Sequence, residues 1–128
     1  MSRNQAAKLL DPLPLPAFIW DIDTEKFIGG NQLLLDLLGY TADELYRLDW
    51  RQLVVADEIH VAERAIAAGP RMQAVRWHWR KKDRHVIEVT LSTRESVFVD
   101  DGGETRDVYM GLVIGVGKQP SSAAGEVF

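Results

Sequence analysis

Residues 29–45 read GGNQLLLDLLGYTADEL, and they hold two helix starts and one helix stop in close succession. Asn31 is a strong N-cap, because its side-chain oxygen can accept from the free amides of a first helical turn. Leu34, Leu35 and Leu38 follow at helical spacing and give one apolar face. Gly39 stands where a left-handed C-cap is wanted. Thr41 and Glu44 then make a capping box that opens a second short helix carrying Leu45 and Leu48. Helices this short are held by packing on something else. The pattern predicts miniature helices that wall one side of a small pocket over a sheet.

Outward from this stretch the chain changes period. Upstream, residues 17–22 (AFIWDI) are apolar and aromatic and read as a strand, followed by a polar turn at 23–26 and a returning strand at 27–30. Before them, Pro12, Pro14 and Pro16 impose an extended path, and residues 2–10 read as a short helix with Ala6, Leu9 and Leu10 on one side. Downstream, residues 50–54 read as a further short turn. The longest helix is expected over 57–68, with Ile59 and Ile66 on its inner face, and Gly69-Pro70 ends it. From Val75 the period is two: Val75, Trp77 and Trp79 alternate with Arg76, His78 and Arg80. Strands are expected over 86–95 and 108–116, separated by turns at 81–84 and 100–104. Two strands, several helices, then three strands predict an α+β fold with one five-stranded antiparallel sheet covered on one face.

Bulk properties narrow the function. The chain has 128 residues, 46% of them hydrophobic, enough for one domain with one core. Its net charge of −4 gives no basic footprint for nucleic acid. It has no cysteine, which removes disulfides, thiolate metal sites and cysteine nucleophiles together. No apolar run approaches the roughly 20 residues of a spanning helix, and a cytoplasmic location is expected. The reading divides the chain into a leader at 1–14, a domain at 15–118 and a linker at 119–128.

The order of elements, with these motifs, resembles the PAS domain family of sensory modules. The resemblance rests on residues 17–19 with Asp21, on Asn31, on Gly39-Tyr40 followed by Thr41, Glu44 and Leu45, on Asp57, and on residues 80–83 (RKKD). Two positions depart from the family pattern: Ala56 replaces a proline, and Arg84 replaces the glycine after the aspartate of the charged turn. The resemblance implies a non-catalytic input module that senses a small ligand or partner and passes the signal to an output domain, such as a histidine kinase or a cyclic-dinucleotide enzyme. It also implies a homodimer through the leader helix and the outer face of the sheet. Leu9, Leu10, Trp77 and Trp79 are the interface candidates on that expectation; the plainer alternative for the two tryptophans is that they fill the ordinary core. The pocket candidates are Leu34, Leu38, Leu45, Leu53, Ile59 and Ile66. A ligand-free interaction module is the alternative within the same fold. A small cone-shaped isomerase or hydratase is the alternative from another class; it would need a buried acid–base pair, whereas the acids here cluster at turns and caps.

Each chemical signal has a plainer reading beside it. Gly29-Gly30 before a helix resembles an anion site, but reads better as glycines that let a strand turn into a helix. His78 and His85 lack a third ligand and read as surface histidines. Haem through His60 and a non-covalent flavin are the cofactors left open by the resemblance, although His60 falls in the first turn on a polar face. Flavin adduct chemistry of the LOV kind needs a cysteine where Gln32 stands, and the cysteine-anchored chromophore of photoactive yellow protein is excluded equally. The cations of residues 76–85 lie on the opposite side of their strand from Trp77 and Trp79, so stacking and phosphate contacts would not converge.

Overall fold

The structure is a computed structural model that describes residues 8–69 and 71–118. Its elements run β1 (Ala17–Asp21), β2 (Lys26–Gly30), α1 (Gln32–Leu38), α2 (Ala42–Arg47), α3 (Trp50–Leu53), a 3-10 turn (Ala56–Glu58), α4 (Ile59–Ala67), β3 (Val75–Arg80), β4 (Val86–Val99) and β5 (Thr105–Lys118). The five strands form one sheet in the order β2-β1-β5-β4-β3, and every paired neighbour is antiparallel. The first and last strands are therefore neighbours within the sheet, with β1 paired to β5 from Ala17↔Leu112 to Asp21↔Val108.

The caps form as their residue types demand. The Asn31 side chain accepts from the Leu34 amide at the start of α1, and Gly39 closes that helix with a φ of 83°. Both halves of the Thr41/Glu44 capping box are present on α2, and Asp49 with Gln52 makes another on α3. The helices lie on one face of the sheet. Leu34, Leu38, Leu45 and Val89 are fully buried there, beside the buried Trp77 and Trp79. Each such leucine contributes on the order of 2 kcal/mol of burial. Leu45 and Leu34 crowd the Cα of Gly30, where an added Cβ would lie 2.6 Å from Leu45 Cδ2. At the start of α1 the amides are met by the chain itself, Gln32 by Asp11 Oδ1 at 3.2 Å and Leu34 by Asn31 Oδ1 at 3.0 Å, so Gly29-Gly30 serve the strand-to-helix turn. A second, smaller cluster on the other face joins Leu10 to Ala17, Ile19, Phe98 and Val108.

Several expectations change. Residues 8–10 are helical, while the rest of the expected leader helix lies outside the described residues. Residues 11–15 turn rather than extend, with the Leu13 amide donating to the Leu10 carbonyl at 3.0 Å. The long helix begins at Ile59, after a 3-10 turn. Strands β4 and β5 run on to Val99 and start back at Thr105. The alternation is masked there because the buried face switches. Ile87, Val89 and Leu91 face the helices, whereas Phe98 packs on the opposite side beneath Leu10. Val97 and Val99 extend past the helical cover and are exposed.

Trp77 and Trp79 require a correction. They were expected on the outer face as interface residues. They are buried, 6% and 4% exposed, on the helix-covered face. The reason is topological: β3 is an edge strand, and residues 54–58 fold over its free side. Val54 bridges Trp79, and the Val55 amide donates to the His78 carbonyl at 3.1 Å. Of the two leader candidates, Leu9 is 54% exposed and Leu10 is 1% exposed, buried beneath its own chain.

Candidate functional site

Between the helices and the sheet lies an apolar cavity of about 90 Å³. Its floor is the inner face of the strands, with Phe18 and Trp20 from β1, Leu91 and Thr93 from β4, and Tyr109 from β5. Its wall is Trp77 and Trp79 on one side, and Trp50, Leu53, Ala62 and Ile66 on the other. The strand alternation aims these side chains inward: Trp20 stands opposite Phe27 and Tyr109 in the ladder, and Trp77 opposite Val89. Phe18 meets Phe27 edge to face, with ring centroids 5.3 Å apart and an interplanar angle of 82°, an arrangement that rings of this kind prefer.

The walls are tied down by polar contacts outside the cavity. Trp50 donates its indole N–H to Glu25 at 2.8 Å, while the Arg51 guanidinium lies 4.5 Å from the centroid of the Trp50 ring. Glu58, just before α4, accepts the His78 backbone amide at 2.7 Å on one oxygen and meets His78 Nδ1 at 2.6 Å with the other. Glu88 Oε2 lies 3.7 Å from the remaining ring nitrogen, Nε2. These contacts fix the start of α4 to β3. Across the cavity, Met72 is held on β4 by a reciprocal pair: its amide donates to Thr93 Oγ1 at 2.8 Å, and its carbonyl accepts from the Thr93 amide at 2.9 Å. The Met72 sulfur accepts the Trp77 indole N–H at 3.3 Å.

None of the residues lining the cavity carries a charge. Tyr109 brings a phenol to it, and burial, with Glu95 adding to the effect, pushes its pKa up. The neutral hydroxyl is therefore the favoured form.

Of the six pocket candidates, the structure brings Leu53 and Ile66 to the cavity. Leu34, Leu38 and Leu45 lie in the surrounding core without lining the cavity, and Ile59 packs half-buried against the same core, also outside the lining. The aromatic lining was missed, although a signal for it exists: Phe18 and Trp20 alternate along β1 as Trp77 and Trp79 do along β3.

Haem and flavin do not fit. The cavity has about the share of liquid volume taken by three waters, and either group is far larger. His60, the haem candidate, is 90% exposed and pairs with Glu63 at 3.3 Å. Among the described residues no group of three or more His, Cys, Asp or Glu is placed to hold a metal, and no helix is long and apolar enough to cross a membrane.

No family model matches the chain. No curated protein matches it either. Solved structures do. A PAS domain from a two-component sensor histidine kinase is 15% identical, with 91% of this chain and 95% of that chain covered and a TM-score of 0.63. The Rhodobacter sphaeroides LOV protein is 15% identical over 96% of this chain and 69% of its own, with a TM-score of 0.67. The photo-excited blue-light photoreceptor Vivid is 19% identical over 77% of this chain and 76% of its own, with a TM-score of 0.58. At such identities the likeness speaks for the fold, and with the strand order and capped helices already described, this chain has the PAS fold.

Proposed function

We propose that the chain is a sensory module that binds a small molecule and relays its presence to an output domain. The observation that carries this reading is the cavity, since its lining joins elements from both layers: α3 and α4 above, β3 and β5 below. A ligand there contacts the helices and the strand leading out at residue 118 at once. A signal needs different affinity for two packings of those layers, because equal affinity shifts nothing however tight the binding. Relay runs through linker and dimer packing in a cytoplasmic, non-enzymatic protein. The outer face of the sheet, where Leu9 and Met110 remain partly exposed, is the dimer surface on this reading.

Specific observations favour a second reading, a ligand-free interaction module: the cavity is small, and the exposed apolar residues lie outside it. Catalysis of the isomerase or hydratase kind is poorly supported. Asp21 is the one charged residue found buried among the described residues, and it is fully engaged. It accepts from the Asp23 and Thr24 amides and from Arg106 at 2.7 Å, away from the cavity.

Native mass spectrometry with absorbance on the purified protein separates the readings. A mass added to each chain and lost on unfolding supports the sensor. A dimer of bare chains that takes up no ligand supports the interaction module and overturns the sensor.

A further inference from the structure

Resting on that sensor reading, the geometry points to the ligand class: one uncharged, single-ring aromatic molecule bearing a hydroxyl, admitted when the Met72 side chain swings away from Trp77.

Charge is decided first. With no ionic side chain in the lining, a carboxylate or ammonium would be buried unpaired, at prohibitive cost. Shape is decided next. Seven of the fourteen lining residues are aromatic, and a flat ring can meet them edge to face as Phe18 already meets Phe27.

Size then identifies what must move. The cavity is about 90 Å³, smaller than the roughly 150 Å³ cavity known to hold benzene in another protein. Met72 is the lining residue best made to yield. Its backbone is fixed by the two Thr93 hydrogen bonds, so the loop holds its place. Its side chain is half-buried, flexible and unbranched; it packs at the margin of the core cluster, and its polar tie is the N–H···S contact from Trp77. When it swings out, room opens and the Trp77 indole N–H loses its acceptor. A ligand hydroxyl restores that bond, whereas a bare hydrocarbon leaves the donor unpaired.

The test is calorimetric titration of the full chain with phenol, toluene, cyclohexanol and benzoate, with the Trp77 indole N–H followed by NMR and assigned through Trp77→Phe. Phenol is expected to bind one per chain and shift that resonance, with toluene about threefold to tenfold weaker, cyclohexanol weaker than phenol and benzoate not at all. Met72→Ala is expected to tighten phenol binding and to admit the two-ring 2-naphthol. Ala62→Leu, checked for folding by circular dichroism, is expected to abolish binding. Benzoate or cyclohexanol binding as tightly as phenol overturns the ligand class but leaves the sensor reading standing if Ala62→Leu abolishes that binding. Absence of binding by every probe in both wild type and Met72→Ala overturns the ligand class. If native mass spectrometry also finds bare chains, the sensor reading falls with it.

Discussion

Phe18 occupies the space that any side chain on Gly111 would need. The two residues face each other across the β1–β5 ladder, and a methyl group at Gly111 would overlap Cζ, Cε1 and Cε2 of the ring. The ring lies flat over the glycine, which lets it reach Phe27 and Trp79. Gly111→Ala is therefore expected to cost about 1–3 kcal/mol, the usual range for overpacking. Urea unfolding measures it. Phe18→Leu in the same chain should recover part of the loss, so the two effects will not add. A neutral Gly111→Ala would show that the ring has room to retreat.

Asn31 makes four hydrogen bonds while only 1% exposed. Its oxygen accepts the amides of Ala17 and Leu34, each at 3.0 Å, and its nitrogen donates to the carbonyls of Leu10 at 3.0 Å and Leu15 at 2.8 Å. One side chain thus caps α1 and binds the leader to the start of β1. Asn31→Ala should lower stability by about 2–3 kcal/mol, since buried partners are left unpaired. Asn31→Ser keeps an acceptor for the Leu34 cap and should recover about 1 kcal/mol of that. Equal losses in the two variants, by chemical denaturation, would show that the cap contributes nothing.

Local chemistry made much of this legible. The caps at Asn31, Thr41 and Gly39 are decided within four residues, so their sequence reading and their structure coincide. The side of the sheet that Trp77 and Trp79 occupy is different. Period two says that they share a face, but not which face the helices cover. That depends on residues 54–58 folding over β3, a contact no local pattern encodes. The pocket candidates divide for a similar reason. Leucine spacing finds the inward side of each helix, yet the void forms where bulky rings from β1, β3 and α3 fail to interlock. The extra bonds of Asn31 were invisible because their partners, the Ala17 amide and the Leu10 and Leu15 carbonyls, are backbone groups distant in sequence.

Lys82 gives a pH signature. Its ammonium contacts both oxygens of Glu44, at 2.9 and 2.7 Å, and its backbone amide donates to the Leu38 carbonyl at 2.9 Å. The Lys82 hydrogen bond, then the Thr41 amide, holds the Glu44 carboxyl below its ordinary range. A carboxylate with a lowered folded pKa adds stability above its unfolded pKa, about 4.3, and loses it as pH falls through the folded value. Glu44→Gln should therefore melt below wild type at neutral pH, and the gap should close under acid conditions. Glutamine can still accept from Thr41, so the change isolates the lysine contact. A gap that is constant from pH 7 to pH 3 would mean that the ion pair is not its source.

Arg84 takes the position where the family resemblance expects glycine, and its φ is 75°. A left-handed backbone costs an ordinary residue roughly 1–2 kcal/mol, and glycine avoids that cost. Glycine also has a freer unfolded chain, which returns about 0.5–1 kcal/mol. The hydrogen bonds described for the turn do not use the Arg84 side chain: its amide donates to the Lys81 carbonyl at 2.9 Å, the Lys81 amide donates to the His85 carbonyl at 2.8 Å, and the His85 amide donates to Asp83 Oδ1 at 2.9 Å. The side chain is exposed. Arg84→Gly should accordingly stabilise the protein by about 0.5–1 kcal/mol, the difference between the two effects. Arg84→Ala keeps the backbone strain and should give no such gain. The pair of melting curves decides the matter, because a side-chain effect would move both variants together and a backbone effect moves only the glycine one.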